Sequence, residues 1–175
     1  NGFLNTFNSC YDFVKCGDVV SESYHNLQSS DGCNTDTETV VRRYTANAPG
    51  KYFQYDMKIA AGQMFTIRVD ETGGTGNTTK DYLIKVNGRQ VYNRVRKIHT
   101  GWQNSCWGGC ATYTVDIDAA YATSDVVTIR FEANRNDDAS GPSIASVWTL
   151  GNDRLPDEKR GGTIADAEGL LTGGN

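Results

Sequence analysis

An alternation of apolar and polar residues recurs through the middle of the chain and limits the folds that it can adopt. Successive side chains of a β-strand point to opposite faces of a sheet, so an alternating run predicts a strand with one buried face. Such runs occupy residues 52–59, 64–70, 82–86, 113–117, 127–131 and 144–150. No segment of ten or more residues shows helical periodicity. The alternation therefore predicts an all-β fold, an antiparallel β-sandwich.

The apolar residues of each run are expected to form the core. The residues expected to face inward are Phe53, Tyr55, Met57, Ile59, Phe65, Ile67, Val69, Tyr82, Ile84, Val86, Tyr113, Val115, Ile117, Val127, Ile129, Phe131 and Trp148. The dipeptide Asn87-Gly88 follows one of these runs and accepts the positive φ angles of a type I′ hairpin turn. The sequence thus predicts a hairpin at this point.

The chain of 175 residues is long enough for one domain with a core and too short for two comfortable ones. We predict that residues 21–151 form the sandwich. Residues 1–20 are expected to form an N-terminal extension with a disulfide loop, and residues 152–175 a charged linker and tail. These extensions could pack on their own domain or dock on a neighbouring subunit. The apolar residues expected to make such an assembly contact are Phe3, Leu4, Ile164, Leu170 and Leu171.

The net charge of −4 leaves no basic field that would collect phosphate groups. Nucleic acid and anionic membrane surfaces are therefore not expected as partners. No apolar run approaches the roughly 20 residues needed to span a bilayer, so membrane insertion is not expected either. Arg94, Arg96 and Lys97 form a local basic run. We interpret it as a solvated strand face, with contact to an acidic partner as the alternative.

Five cysteines form two close pairs and a single residue, a grouping that differs from the paired C-x-x-C spacing of zinc sites. Disulfides explain the grouping better and imply an oxidising compartment, so a secreted or cell-surface location is expected. The expected bridges are Cys10–Cys16 and Cys106–Cys110. Cys33 could replace a member of either pair, because spacing alone does not determine connectivity.

Six motifs follow one another from Ser21 onward in an order that resembles a known family. They are "SESYHNLQSSDG", "VVRRYTANAPGKYFQYDMKI", "FTIRVDETGG", "DYLIKVNGRQV", "ATYTVDI" and "VVTIRFEAN". Over residues 21–150, this order resembles the galactose-binding-like β-sandwich appended to bacterial β-L-arabinofuranosidases. The resemblance implies a jelly roll that accompanies carbohydrate enzymes or binds carbohydrate. It brings no catalytic residue, because the family's catalysis belongs to a separate domain.

Two segments depart from the pattern of that family. One is "GWQNSCWGGC", residues 101–110, which contains Trp102 and Trp107. A flat aromatic ring on a loop held by a disulfide can stack on the C–H face of a sugar, so both tryptophans are candidate glycan-binding residues. The alternatives are that they cover one end of the sandwich or are buried in a subunit contact. The other departure is "NRNDDASGPSIASVWTL", residues 134–150.

The second departing segment begins with a polar loop, residues 134–138. Its Asn134, Asn136 and Asp137 could hydrogen-bond to sugar hydroxyls, or the loop could be an ordinary turn. Asp138 and the distant Glu22 are candidate ligands of a structural calcium ion, with solvated turn residues as the alternative. The sequon that begins at Asn77 would accept a glycan if the source glycosylates such sites.

Catalysis is not expected. A glycosidase needs two carboxylates opposed across a cleft, whereas Asp116 and Asp118 lie two residues apart on one predicted strand. His25 has no nucleophile arranged beside it in a recognisable motif and is expected to be a hydrogen-bonded structural residue. The sequence therefore predicts a secreted, non-catalytic module that binds polysaccharide and needs no cofactor. The alternative is a structural subunit of an extracellular fibre or surface assembly, a homo-oligomer or filament joined through its terminal extensions.

Overall fold

The computed structural model describes residues 10–37, 40–73, 79–97, 110–134 and 139–151. Within these ranges the chain forms twelve strands, one short α-helix and one turn of 3-10 helix. The strands are β1 (Cys10–Lys15), β2 (Gln28–Ser29), β3 (Cys33–Asp36), β4 (Arg42–Thr45), β5 (Tyr52–Lys58), β6 (Phe65–Glu71), β7 (Thr79–Val86), β8 (Arg89–Lys97), β9 (Ala111–Ile117), β10 (Val126–Ala133), β11 (Ala139–Ser140) and β12 (Ser143–Gly151). The helix α1 spans Val19–Tyr24 and the 3-10 turn spans Ala119–Tyr121. In the part of the chain described, no helix is long and apolar enough to cross a bilayer.

The strands form two sheets of six. The first sheet has the order β3-β4-β12-β6-β9, and β1 also pairs with β12. The second has the order β11-β7-β10-β5-β2, and β8 also pairs with β7. All pairings are antiparallel except the two-residue contact of β11 with β7. The predicted antiparallel β-sandwich is confirmed.

The core lies between the sheets and consists of the alternate residues that the sequence indicates. Phe53 and Phe131 lie opposite each other on β5 and β10 and their rings stack, with centroids 5.5 Å apart. Ile67 and Val147 contribute from the first sheet and are fully buried. Burial of such side chains contributes roughly 25 cal/mol per Å² of apolar surface, which makes this layer the main source of stability. The predicted turn is also confirmed, because φ is 49° at Asn87 and 78° at Gly88.

The prediction that Trp148 faces the core is wrong. The register of β12 against β6 shifts between Ile144 and Ser146, so the alternation along β12 changes phase at this irregularity. Val147 and Thr149 are buried as a result, and Trp148 lies on the outer face of the first sheet. There its ring packs against Phe13 and under the guanidinium of Arg68, whose Cζ is 4.5 Å from the ring centroid.

The expected Cys10–Cys16 disulfide is also wrong, because both thiols are free. Cys10 is the first residue of β1 and Cys16 follows its last, so six steps of extended chain separate their Cα atoms by roughly 20 Å. A disulfide needs Cα atoms less than about 7 Å apart. Since β1 pairs with β12, the first sheet already includes residues 10–15, and the boundary expected at residue 21 is not where the sandwich begins.

Candidate functional site

One end of the sandwich collects the ends of strands from both sheets. There β6, β8 and β10 finish while β5, β7, β9 and β12 begin, as the pairings Glu71–Ala111, Thr79–Lys97 and Glu132–Tyr52 show. We call this the loop end. A pocket of about 310 Å³ opens in it. The residues that line this loop-end pocket are Arg42, Tyr44, Thr45, Ala46, Asn47, Gly73, Lys80, Ser140, Gly141, Pro142 and Ser143.

Lys80 is the most unusual residue of the loop-end pocket. It shares the face of β7 that carries the core residues Tyr82 and Ile84, and it is only 2% exposed. Burial lowers its pKa from 10.5 to about 8, because the ammonium loses hydration. Within the described part of the chain, its Nζ makes one hydrogen bond, to the carbonyl oxygen of Gly141 at 3.3 Å. An ammonium has three N–H donors, so two of them have no acceptor among the described residues and can serve a ligand.

Thr45 contributes a buried hydroxyl to the loop-end pocket. The residue is 4% exposed, and its Oγ1 has no hydrogen-bond partner among the described residues. This hydroxyl lies against Gly141, where any Cβ would collide with it. An unsatisfied buried hydroxyl costs roughly 1–3 kcal/mol, so an orphan group lining a pocket indicates where a polar ligand could bond.

Arg42 forms one wall of the loop-end pocket and is held by several acceptors. Its Nη1 donates to the carbonyl oxygen of Gly73 at 3.2 Å and to Ser143 Oγ at 3.1 Å, and its Nη2 donates to Asp36 at 3.3 Å. The guanidinium also lies over the ring of Tyr44, 5.0 Å from the centroid. The Nε atom has no partner within the described ranges. The guanidinium of Arg42 is therefore fixed in position, and its Nε–H is a donor left without an acceptor among the described residues.

A buried carboxylate, Glu71, lies at the loop end of β6. Glu71, which is 0% exposed, accepts hydrogen bonds from Arg94 Nε at 3.1 Å, from Arg96 Nη1 at 2.8 Å and from the Tyr82 hydroxyl at 2.6 Å. Burial raises the pKa of Glu71, but the hydrogen bonds from Arg94, Tyr82 and Arg96 outweigh it and hold the pKa below its usual value. The basic run on β8 is thus no solvated face, because both arginines pair with this carboxylate.

The predicted glycan-binding residues have different outcomes. Asn134 lies within the described residues, and its Nδ2 donates to the buried Asp81 at 2.9 Å. Its side-chain amide therefore joins the end of β10 to β7. Trp102, Trp107, Asn136 and Asp137 lie outside the described residues. The strand residues that flank their segments all lie at the loop end, because β8 ends, β9 begins and β10 ends there.

Most of the other predicted site residues lie outside the described part of the chain. Cys110 is disulfide-bonded, and its expected partner Cys106 lies outside the described residues, so that pairing stays a prediction. Also outside are the candidate glycan acceptor Asn77, the calcium candidate Asp138, and the assembly candidates Phe3, Leu4, Ile164, Leu170 and Leu171.

Glu22, the other calcium candidate, is used in the fold. Its two carboxylate oxygens accept hydrogen bonds from Arg43 at 2.7 Å each, and one also accepts from the Tyr55 hydroxyl at 2.7 Å and the Gly17 N–H at 2.8 Å. These donors leave Glu22 poorly suited to a calcium ion, which needs free oxygen ligands. Among the described residues, no group of three or more His, Cys, Asp or Glu is arranged to hold a metal ion.

Sequence reasoning missed Lys80, Thr45 and Arg42. A signal for Lys80 was present, since it continues the inward positions of Tyr82, Ile84 and Val86 by one step towards the loop end. Glu71 likewise continues the inward positions of β6. The orphan state of Thr45 depends on long-range packing against Gly141 and has no local signature.

The fold is similar to solved carbohydrate-binding modules. A family 35 carbohydrate binding module from an environmental isolate superposes with a TM-score of 0.59 at 19% identity, over 83% of this chain and 96% of that one. The CBM35 from Paenibacillus barcinonensis gives 0.53 at 15% identity, over 79% and 97%. The CBM36-1 domain of a multidomain xylanase from the hindgut metagenome of Trinervitermes trinervoides gives 0.54 at 9% identity, over 82% and 98%.

Sequence comparison adds no relative. No protein-family model matches the chain, and no curated protein matches it. At the identities above, the structural likeness establishes the sandwich fold, and the site must be argued from the residues of this chain. The resemblance to the accessory domains of β-L-arabinofuranosidases stays a prediction.

Proposed function

We propose that this chain is a non-catalytic, secreted carbohydrate-binding module that binds one sugar residue of a polysaccharide in the loop-end pocket. The observation that carries the proposal is the spare hydrogen-bonding capacity of two groups in the pocket. Among the residues that the structure describes, the Thr45 hydroxyl has no partner and the buried Lys80 ammonium has one. Both are held by the sandwich before any ligand arrives, so binding orders little further chain.

A sugar matches this combination of groups. Sugar hydroxyls both donate and accept hydrogen bonds, and the pocket offers donors at Lys80 Nζ and Arg42 Nε and a hydroxyl at Thr45 that does both. Its volume of about 310 Å³ lies at the small end of the range for ligand pockets, which suits a single ring better than a long chain segment. The similarity to solved modules of families 35 and 36 supports carbohydrate as the ligand class.

The loops attached at the loop end complete the proposed site. We assign Trp102 and Trp107 the role of stacking platforms and Asn136 and Asp137 the role of hydrogen-bonding partners. Their segments join strands that end or begin at the loop end, where the pocket opens. An aromatic ring adds contact to the C–H face of a sugar whose hydroxyls bond inside the pocket.

The proposal is tested by affinity electrophoresis on gels that contain arabinan, xylan, galactan or mannan, followed by calorimetry with the retarding polysaccharide. Thr45→Val removes the orphan hydroxyl while keeping the shape, so the fold should be retained or stabilised while affinity falls about tenfold. Lys80→Met should have a similar effect on affinity. Trp102→Ala and Trp107→Ala test the platforms.

Lys85→Met is the matched control, because Lys85 lies on the same strand but pairs with Glu132 at 2.9 Å, away from the loop-end pocket. It should bind as the wild type does. An assay for new reducing ends should stay at background with every polysaccharide. Equal retardation of the wild type, Thr45→Val and Lys80→Met would reject the loop-end pocket as the site.

A further inference from the structure

A second pocket lies on the side of the sandwich, where β1 of the first sheet approaches β5 of the second. Its volume is about 540 Å³, and Asp12, Tyr24, Asn26, Asp56, Lys58 and Val126 are among the residues that line it. It shares no residue with the loop-end pocket. We call it the edge pocket.

The acceptors of the edge pocket are fixed by hydrogen bonds from the chain itself. Asp12 joins the two sheets, since its Oδ2 accepts from the Lys58 N–H at 2.8 Å and its Oδ1 from His25 Nε2 at 3.0 Å. Asp56 accepts from Asn26 Nδ2 at 2.9 Å and from Thr128 Oγ1 at 2.8 Å. A carboxylate oxygen can accept two hydrogen bonds. Asp12 Oδ2 and both oxygens of Asp56 accept one each from the described residues, so each keeps capacity for a ligand.

Tyr24 gives the edge pocket an exposed aromatic wall. It is the last residue of α1 and is 85% exposed, although tyrosine usually buries much of its ring. The helix beneath it is anchored, because Asp18 caps its first turn by accepting from the Ser21 N–H at 2.9 Å. At the other end, the carbonyl oxygen of His25 accepts from the Asp56 N–H at 2.8 Å. The backbone that carries the ring is therefore fixed beside the pocket.

We propose that the edge pocket is a second saccharide subsite, in which a neutral sugar ring stacks on Tyr24 and bonds through its hydroxyls to Asp12, Asp56 and Lys58. The C–H groups on one face of a pyranose or furanose can stack on an exposed planar ring. The hydroxyls at the edge of the sugar can bond to the fixed acceptors and to the one ammonium donor. This inference rests on the proposed function, since it assigns the same ligand class to a separate site.

A module with two separate subsites should bind a polysaccharide more tightly than a module with one. When one subsite is occupied, the second meets the same chain at high effective concentration, so affinity for the polymer exceeds affinity for a short oligosaccharide. Loss of Tyr24 should then weaken binding to the polymer by about tenfold or more, since bivalency can contribute up to about 10²–10⁴ in affinity.

The test uses the full chain and follows both pockets at once. The protein labelled with ¹⁵N is titrated with neutral oligosaccharides of xylose, arabinose, galactose and mannose, and amide shifts are read at Asn26 and Asp56 for the edge pocket and at Asn47 and Gly141 for the loop-end pocket. Tyr24→Ala should abolish the shifts at the edge pocket alone. Tyr24→Phe, which keeps the ring, and Val19→Ala, which alters an 81% exposed residue on the same helix, should behave as the wild type.

Each outcome decides between the two assignments. Shifts at the loop-end pocket alone, with polymer affinity unchanged in Tyr24→Ala, would overturn the edge subsite and leave the proposed function standing. Shifts at the edge pocket alone would support the subsite and overturn the loop-end pocket. No shift at either pocket with any of the four sugars would overturn both.

Discussion

Lys80 shows at the level of a single residue how a binding group is maintained at a cost to the fold. Its pKa in the folded protein is about 8, against 10.5 for an exposed lysine. Between these pH values, the unfolded chain holds a proton that the folded chain has released. Stability therefore rises with pH across this window, and the cost of a buried ammonium is fully present below about pH 8.

Lys80→Met should remove this cost. We expect the free energy of unfolding of the variant to exceed that of the wild type at pH 7 by up to about 3 kcal/mol, and the rise between about pH 8 and pH 10.5 to be lost. Urea unfolding at several pH values measures both effects. Lys85→Met serves as control, since it should keep the slope of the wild type. Parallel profiles for the wild type and Lys80→Met would contradict the buried ammonium.

Residues such as Lys80 and Glu71 could be placed from the sequence, because the period of a strand assigns every position to a face whatever its charge. The same reasoning failed for Trp148, since a register shift inside β12 changes the phase without any proline or glycine to mark it. Thr45 could not be identified from the sequence either. Its hydroxyl is buried by packing against Gly141, a residue almost a hundred positions away.

At the level of elements, β1 determines what the cysteines can do. Its pairing with β12 keeps Cys10 at one end of the strand, exposed, and Cys16 just past the other end, fully buried. Burial raises the pKa of the Cys16 thiol to about 12, and only the thiolate reacts readily. The close spacing in sequence indicated a bridge, whereas the extended strand between the two thiols excludes it.

Alkylation under native conditions tests this arrangement. Iodoacetamide should label Cys10 rapidly and Cys16 only after unfolding, as measured by peptide mapping in the mass spectrometer. Cys10→Ser should leave the free energy of unfolding unchanged within about 0.5 kcal/mol, as for an exposed substitution. A Cys10–Cys16 peptide recovered from a non-reduced digest would contradict the strand.

Across the whole molecule, two buried carboxylates link the sheets on opposite sides of the core. Glu22 accepts hydrogen bonds from Arg43 of the first sheet and Tyr55 of the second. Glu71 belongs to the first sheet and accepts from Tyr82 and Arg94 of the second. The apolar layer between the sheets was visible in the sequence, but these cross-links were not, because each joins residues from distant elements that no local pattern relates.

Both carboxylates have pKa values below the usual range for glutamate, because their hydrogen bonds outweigh the opposing effect of burial. A group whose pKa is lowered by folding contributes stability above its unfolded pKa, and that contribution is lost as pH falls through the folded value. The sandwich should therefore lose stability steeply below about pH 4.5.

Glu71→Gln isolates one of these links. The variant leaves Arg94 and Arg96 without a counter-charge, so we expect its free energy of unfolding at pH 7 to fall by about 3–5 kcal/mol. Its pH dependence between pH 5 and pH 3 should be flatter than that of the wild type, since one titrating carboxylate is gone. Glu132→Gln, which breaks the more accessible pair with Lys85, should cost about 1 kcal/mol or less. Urea unfolding from pH 3 to pH 7 measures all three proteins. If Glu71→Gln lost no more stability than Glu132→Gln, the hydrogen bonds and ion pairs of Glu71 would contribute nothing to holding the two sheets together, and the structural role assigned to this carboxylate would be rejected.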